Sequence, residues 1–240
     1  MDNALRANLE RILTALKKNP NILSVALMGS QAQKDADSWS DVDLFAVIEK
    51  DRGLARTKTV AAGRTFEIIF NTLEEARGYL NYEKCTTHRN TAHMIVNSRL
   101  LWERKPVWAK LQRFANDKVL ASKNRREIKG VLMHKYSVDD YLAKAARASA
   151  HDDAIGFALA SRFVIDNCLE LLLTFNDKYW LPIKHMDNLI MSLDRTFYRL
   201  LRSFYAEKNQ RQAQAFLNKL AARAIKIASG PLPNDWSIKR

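Results

Sequence analysis

This 240-residue chain has little that would invite a disulfide or a metal–thiolate site. It carries two cysteines, Cys85 and Cys168, far apart and with no CxxC pairing. Both are read as reduced thiols, and no zinc site is expected. The five histidines, His88, His93, His134, His151 and His185, show no metal-ligand spacing. Cys85 with His88 or His93 lacks an orienting third residue or an oxyanion hole, which argues against a thiol nucleophile. No run of about eighteen uninterrupted apolar residues exists. The richest stretch, 154–175, is interrupted by Arg162, Asp166, Asn167 and Glu170, so no membrane span is expected. The opening MDNALRANLERI carries acids early and lacks an apolar signal core, which leads to the expectation of a cytoplasmic protein. Internal repeats and low-complexity segments are missing too. The scattered tryptophans read as core or interface anchors rather than base-stacking platforms.

What is present is a chain long enough for one large domain or two modest ones, with an ordinary 47% hydrophobic content. Lysine and arginine number 39 against 26 acids, a formal net charge of +13. Such a field attracts polyanions, whether nucleic acid, acidic protein or nucleotide, and repels polycations. Leu5, Leu9, Ile12, Leu13 and Leu16 fall at helical spacing over residues 2–18, and Asn19-Pro20 stops that helix. Residues 22–28 read as a short buried strand ending in Gly29-Ser30. Residues 31–40 form a polar stretch containing Asp35, Asp37 and Ser38, a helical turn followed by a loop. Residues 42–48 read as a mostly buried strand, 51–53 as a turn, 64–72 as a strand and 98–104 as a further short strand. Thr72 and Glu75 have the spacing of a capping box.

From about Pro106 the periodicity becomes helical, with helices expected near 106–119, 124–149, 151–176, 186–207 and 209–228. The expected fold class is α+β: a small mixed β-sheet domain over 1–105, then an all-helical bundle over 106–240. The basic run Lys123-Asn124-Arg125-Arg126 reads as a solvated helix start, with a nucleic-acid or acidic-partner contact as the functional alternative.

The chemistry concentrates between residues 29 and 67. Residues i and i+2 of a strand project to one side, so Asp41 and Asp43 present two carboxylates together, with Val42 and Leu44 turned away. Two such anions about 4 Å apart repel by roughly 1 kcal/mol in water and about 4 at an effective dielectric of 20. An apolar strand has no structural reason to bear that cost unless both acids sit at its solvated beginning. A divalent cation removes it, and oxygen-only ligation suits magnesium or manganese. Gly29 lets the backbone approach a phosphate, and the Ser30 hydroxyl can bond its oxygens. Ten residues separate Ser30 from Asp41, room for one helical turn and a return into a neighbouring strand. Glu67 puts a third acid among the apolar residues of the next strand. Three acids on adjacent strands beside a phosphate-cradling turn make a two-metal phosphoryl-transfer site.

The stretch LMGSQAQKDADSWSDVDLFAVIE resembles the nucleotidyltransferase motif of the DNA-polymerase-β superfamily: apolar strand, Gly-Ser, about ten residues, then Asp-x-Asp. The resemblance implies two metals (Mg2+ or Mn2+) held by Asp41, Asp43 and a third acid such as Glu67, with Gly29 and Ser30 on the triphosphate. Lys34 stands where that pattern often has a glycine. More loosely, LLTFNDKYWLPIKHMDNLI is similar to a turn in the antibiotic nucleotidyltransferase branch, whose precedents are aminoglycoside and lincosamide acceptors. By that similarity Lys184 contacts phosphates. Helical domains of this kind are sometimes RNA-cleaving, with Arg and His four to six residues apart. Arg89 with His93, and Arg147 with His151, have three residues between them, which argues against a fused nuclease.

The expected activity is transfer of a nucleoside monophosphate, by default AMP from ATP, to a hydroxyl of a small-molecule acceptor. The positive charge weakens the polycationic aminoglycoside option unless Asp152, Asp153, Asp166, Glu170 and Asp187 build a local acidic cleft. The alternative is an antitoxin-like or RNA-associated binding protein that uses the same fold on an RNA or acidic protein partner.

Overall fold

The computed structural model describes residues 3–33, 36–37, 40–61, 63–124, 127–233 and 235–237. It divides into two compact units, Met1–Cys85 with Arg89–Ser122, and Thr86–His88 with Lys123–Arg240. A five-stranded mixed sheet lies in the first and a helical region in the second, the fold class expected.

In the first unit, α1 (Asn3–Lys18) leads into β1 (Ile22–Met28), α2 (Gly29–Gln33) and β2 (Val42–Ile48). Then come β3 (Arg56–Ala61), β4 (Arg64–Thr72), α3 (Leu73–Glu83), α4 (Asn90–Val96) and β5 (Arg99–Glu103). The sheet order is β3-β4-β2-β1-β5, with β2 and β4 parallel and the other pairs antiparallel. Its two faces are both covered, which explains why β1 and β2 read as near-continuous apolar runs. One face packs Val25, Leu27, Leu44 and Phe66 against Leu5, Leu9 and Leu13 of α1. The other packs Met28, Phe45 and Val47 against Ala76, Leu80 and Ile95 of α3 and α4. That second face also receives α5 (Trp108–Phe114) and the π-helical segment Ala115–Leu120. The capping box forms as spaced: Glu75 N–H donates to the Thr72 hydroxyl, and Thr72 N–H to the Glu75 carboxylate at 2.7 Å.

Fully buried Arg89, at the start of α4, closes this packing by donating to the backbone carbonyls of Val119 and Ser122. Those carbonyls lie at and just beyond the end of the π-helical segment, and that of Val119 also accepts from the Ser122 N–H and hydroxyl.

The second unit is built on α6 (Ile128–Ala150), α7 (Ala154–Phe175), α8 (Ile183–Leu193), α9 (Arg195–Ala206) and α10 (Gln210–Ile227). Val164, Cys168, Leu171 and Leu172 make α7 the centre of the core, against Val138 of α6, Phe197 of α9 and Leu217 of α10. The single helix expected over 186–207 is two. Asp194 takes extended backbone angles and accepts from Phe197 N–H as the cap of α9, and Arg223 holds its carboxylate. Among the described residues no helix is long and apolar enough to cross a membrane.

Candidate active site

The site begins where β1 ends. Met28 and Asp43 are register partners across β1 and β2, so the Gly29-Ser30 turn lies beside the Asp43 carboxylate. Gly29 has φ of +64°, and a Cβ built there would sit 2.5 Å from Asp43 Oδ2. A glycine is required twice over, by the left-handed backbone and by the approach of the carboxylate. Ser30 follows in the five-residue α2.

On the other side of β2, Asp43 pairs in register with Glu67 of β4. Paired residues share a face, so both carboxylates are on the α3–α4 side of the sheet. Asp41 is exposed just before β2, two residues from Asp43, while Asp43 and Glu67 are half-buried. The Asp43 pKa is raised, first by burial and then by the charges of Glu67 and Asp41, with Arg56 opposing. Ionised Asp43 is therefore held in a negative corner.

Arg56 was not foreseen. It lies on β3 and places Nη1 3.3 Å from Glu67 Oε1. β3 is an exposed edge strand with no apolar alternation, so hydrophobic pattern gave no signal for it. The one available cue was RTKTV, β-branched residues between two turns.

Of the six residues singled out, Gly29, Ser30, Asp41, Asp43 and Glu67 share this corner. Lys184 is exposed in the first turn of α8, in the second unit. Among the described residues no three His, Cys, Asp or Glu side chains are grouped so as to hold a metal ion. Glu67 is turned to Arg56, and Asp41 adds its negative charge to that of Glu67 at Asp43. Carboxylate oxygens such as theirs are the donor type that magnesium or manganese takes, so Asp41 and Asp43 are the residues that could hold such an ion. Lys34, Asp35, Ser38, Arg125 and Arg126 lie outside the described residues.

Beside the carboxylates, on the same face, is a cavity of about 290 Å³ lined by Met28, Phe45, Ile69, Ile95, Asn71 and Thr91, among others. It belongs wholly to the first unit.

Several acids of the helical unit have partners within it. Glu170 is largely buried and accepts from Thr87 Oγ1 (2.5 Å), His88 Nε2 (2.9 Å) and Trp180 Nε1 (2.7 Å). His88 stacks on Trp180 with ring centroids 5.4 Å apart. Burial alone would raise the Glu170 pKa, but the hydrogen bonds from His88, Thr87 and Trp180 bring it below its ordinary value. Asp153 caps α7 through Gly156 N–H, and Asp187 accepts from the Tyr198 hydroxyl. A 330 Å³ hollow in this unit is lined by Lys144, Arg147 and His151 as well as Asp153, so it is not an acidic cleft. The thiol of Cys85 is exposed, and burial pushes that of Cys168 far above its ordinary value.

Residues 9–90 match the family model of a nucleotidyltransferase domain. That segment contains the turn and all three acids, and the match supports nucleotidyl transfer as the class of activity. Comparison with curated proteins finds no match. Among solved structures, a nucleotidyltransferase-like protein from Exiguobacterium sibiricum 255-15 superposes with a TM-score of 0.53 at 11% identity. The alignment covers 94% of this chain and 77% of that one, a likeness of fold.

Proposed function

We propose that this protein is a metal-dependent nucleotidyltransferase that moves a nucleoside monophosphate, AMP from ATP by default, onto a hydroxyl of a small-molecule acceptor. The observation that carries the reading is Asp43: half-buried, beside Gly29, in register with Glu67, and burdened by like charges that nothing in its fold needs. In the reaction the acceptor oxygen bonds to the α-phosphorus, the bond to pyrophosphate breaks, and the hydroxyl proton leaves. Asp41 and Asp43 would hold the cation. A divalent cation bound there supplies charge neutralisation for the triphosphate and the departing pyrophosphate. The Gly29 backbone and the Ser30 hydroxyl take phosphate oxygens, which fixes the α-phosphorus against the acids. Glu67, on release from Arg56, takes the acceptor proton or completes the ligand set.

Calorimetric titration of ATP, with and without magnesium, tests the reading on the wild type and on an Asp41→Asn/Asp43→Asn double variant. Magnesium-dependent binding that the double variant loses is expected. A folded wild type that binds no nucleoside triphosphate would overturn it and turn attention to RNA and protein partners.

A further inference from the structure

The sheet that carries the acids also carries a cavity, and the strand rows fix how the two are related. On β4 the residues facing the α3–α4 side are Glu67, Ile69 and Asn71, and on β2 they are Asp43, Phe45 and Val47. Register pairs Asp43 with Glu67 and Phe45 with Ile69. The acids form one row, and the next row, Phe45 and Ile69, is the floor of the 290 Å³ cavity. Two residues along a strand is roughly 7 Å. Met28 extends the floor towards the Gly29 turn, and Met94 and Ile95 of α4 line the cavity with it. Asn71, four residues beyond Glu67, supplies an amide roughly 13 Å along the same row. Thr91 adds a hydroxyl to the lining.

We infer that this cavity seats the acceptor, and that the acceptor is a compact, largely apolar alcohol with a polar or singly anionic tail, not a polycation. The inference rests on the transferase reading and deepens it. A hydroxyl at the Asp43–Glu67 row, an apolar body over Phe45 and Ile69, and a tail at Asn71 and Thr91 fit one molecule of that length. The volume is at the small end for ligand pockets, too small for an oligonucleotide. No acid is among its lining residues, and Arg56, the ion-pair partner of Glu67, is. A polycationic acceptor would meet Arg56 with no local anion to spare, in the field of a chain of net charge +13. The nucleotide's phosphates are assigned to the β1 end of the row, at Gly29 and Ser30, which leaves the β4 end for the acceptor.

The test is transfer of label from [α-32P]ATP with magnesium to three small alcohols (tyrosol, 4-hydroxyphenylacetate and cyclohexylmethanol) and to kanamycin as the polycation. Met94→Trp, which fills the cavity, is assayed beside the wild type, with ATP affinity measured by calorimetry for both. Expected are labelled alcohols, unlabelled kanamycin, and a loss of at least about tenfold in kcat/KM for the alcohol in Met94→Trp with ATP affinity kept. Asn71→Leu, similar in size, replaces Met94→Trp if that variant does not fold, and should raise KM for the tailed alcohols more than for cyclohexylmethanol. Labelled kanamycin overturns the inference, as does ATP binding without any labelled alcohol, or a folded Met94→Trp that transfers at the wild-type rate. Each of these leaves the transferase reading standing. Absence of ATP binding removes that reading, and this inference with it.

Discussion

Replacing Asp43 with asparagine should make the protein more stable and far less active. The carboxylate is partly buried, its register partner is Glu67, and Asp41 is two residues away. Adjacent strands are about 4.8 Å apart. Like unit charges roughly 5 Å apart repel by about 0.8 kcal/mol at the dielectric of water and about 3 at an effective dielectric of 20. Arg56, 3.3 Å from Glu67, offsets part of this. About 1 kcal/mol of net relief is expected, a rise in Tm of about 2–4 °C for a chain of this length. The sign with pH follows from the raised pKa. The gain is complete above the folded-state pKa and vanishes as pH falls below the unfolded value of about 3.9. Magnesium and ATP should reverse the order, since ligand at roughly 100 times Kd adds about 2.7 kcal/mol to the wild type alone. Turnover should fall by at least about a hundredfold. The assay is thermal unfolding from about pH 3.5 to 8, with and without the ligands, beside label transfer. An asparagine variant no more stable than wild type at neutral pH without cation would refute the electrostatic reasoning. Near-normal turnover would refute the mechanism.

Gly29→Ala should leave the fold standing and damage the site. The left-handed backbone costs a non-glycine about 1–2 kcal/mol, and the new methyl would displace the Asp43 carboxylate, read as a drop in transfer larger than any loss in Tm. Glu170→Gln should lose about 1.5–3 kcal/mol at neutral pH. Its folded pKa is lowered, so the wild type's advantage is full above the unfolded value of about 4.3 and disappears as pH falls through the folded one, which unfolding curves at neutral and acid pH will show. Arg89→Met takes the arginine donor from the Ser122 carbonyl, while Val119 keeps its donors from Ser122, and should cost about 1–3 kcal/mol. A denaturant midpoint unchanged from wild type would show that Arg89 does not hold that segment.

The candidate site was legible in the sequence because its parts are local. Gly29-Ser30, the ten-residue return, Asp41 and Asp43 all lie within one strand–turn–strand unit, and period-two alternation assigns Glu67 its face. What was not legible depends on partners distant in sequence. An edge strand such as β3 need not bury anything, so its pattern is silent, and with it went Arg56. Asp194 interrupts an otherwise apolar helical period, and only Arg223, 29 residues on, shows why the chain turns there. Trp108, Leu111, Ala115 and Val119 have the same periodicity as the later helices yet pack on the sheet. Periodicity reports that a face is apolar, not which core it joins. Arg89, whose spacing to His93 argues against a nuclease, is a fully buried donor to backbone carbonyls, a role that no local pattern announces.

Composition does not distinguish these acids, whereas the cause of each pKa shift does. Glu170 and Asp194 are withdrawn from water, and hydrogen bonds from the surrounding fold lower their pKa values in spite of burial. Asp139 is raised by burial alone. Asp43 is raised by burial and by other acids together. The first pattern stabilises the native state, since the fold supplies the donors. The last disfavours the ionised form, and on the transferase proposal a bound cation would relieve it. A net charge of +13 makes the contrast sharper. Even with cationic side chains in such excess, Arg56 is the one whose charge opposes the shift at Asp43 among the described residues, and Glu67 and Asp41 outweigh it. On the transferase proposal, a further arginine or lysine there would relieve the repulsion permanently and would hold out a cation carried by the triphosphate.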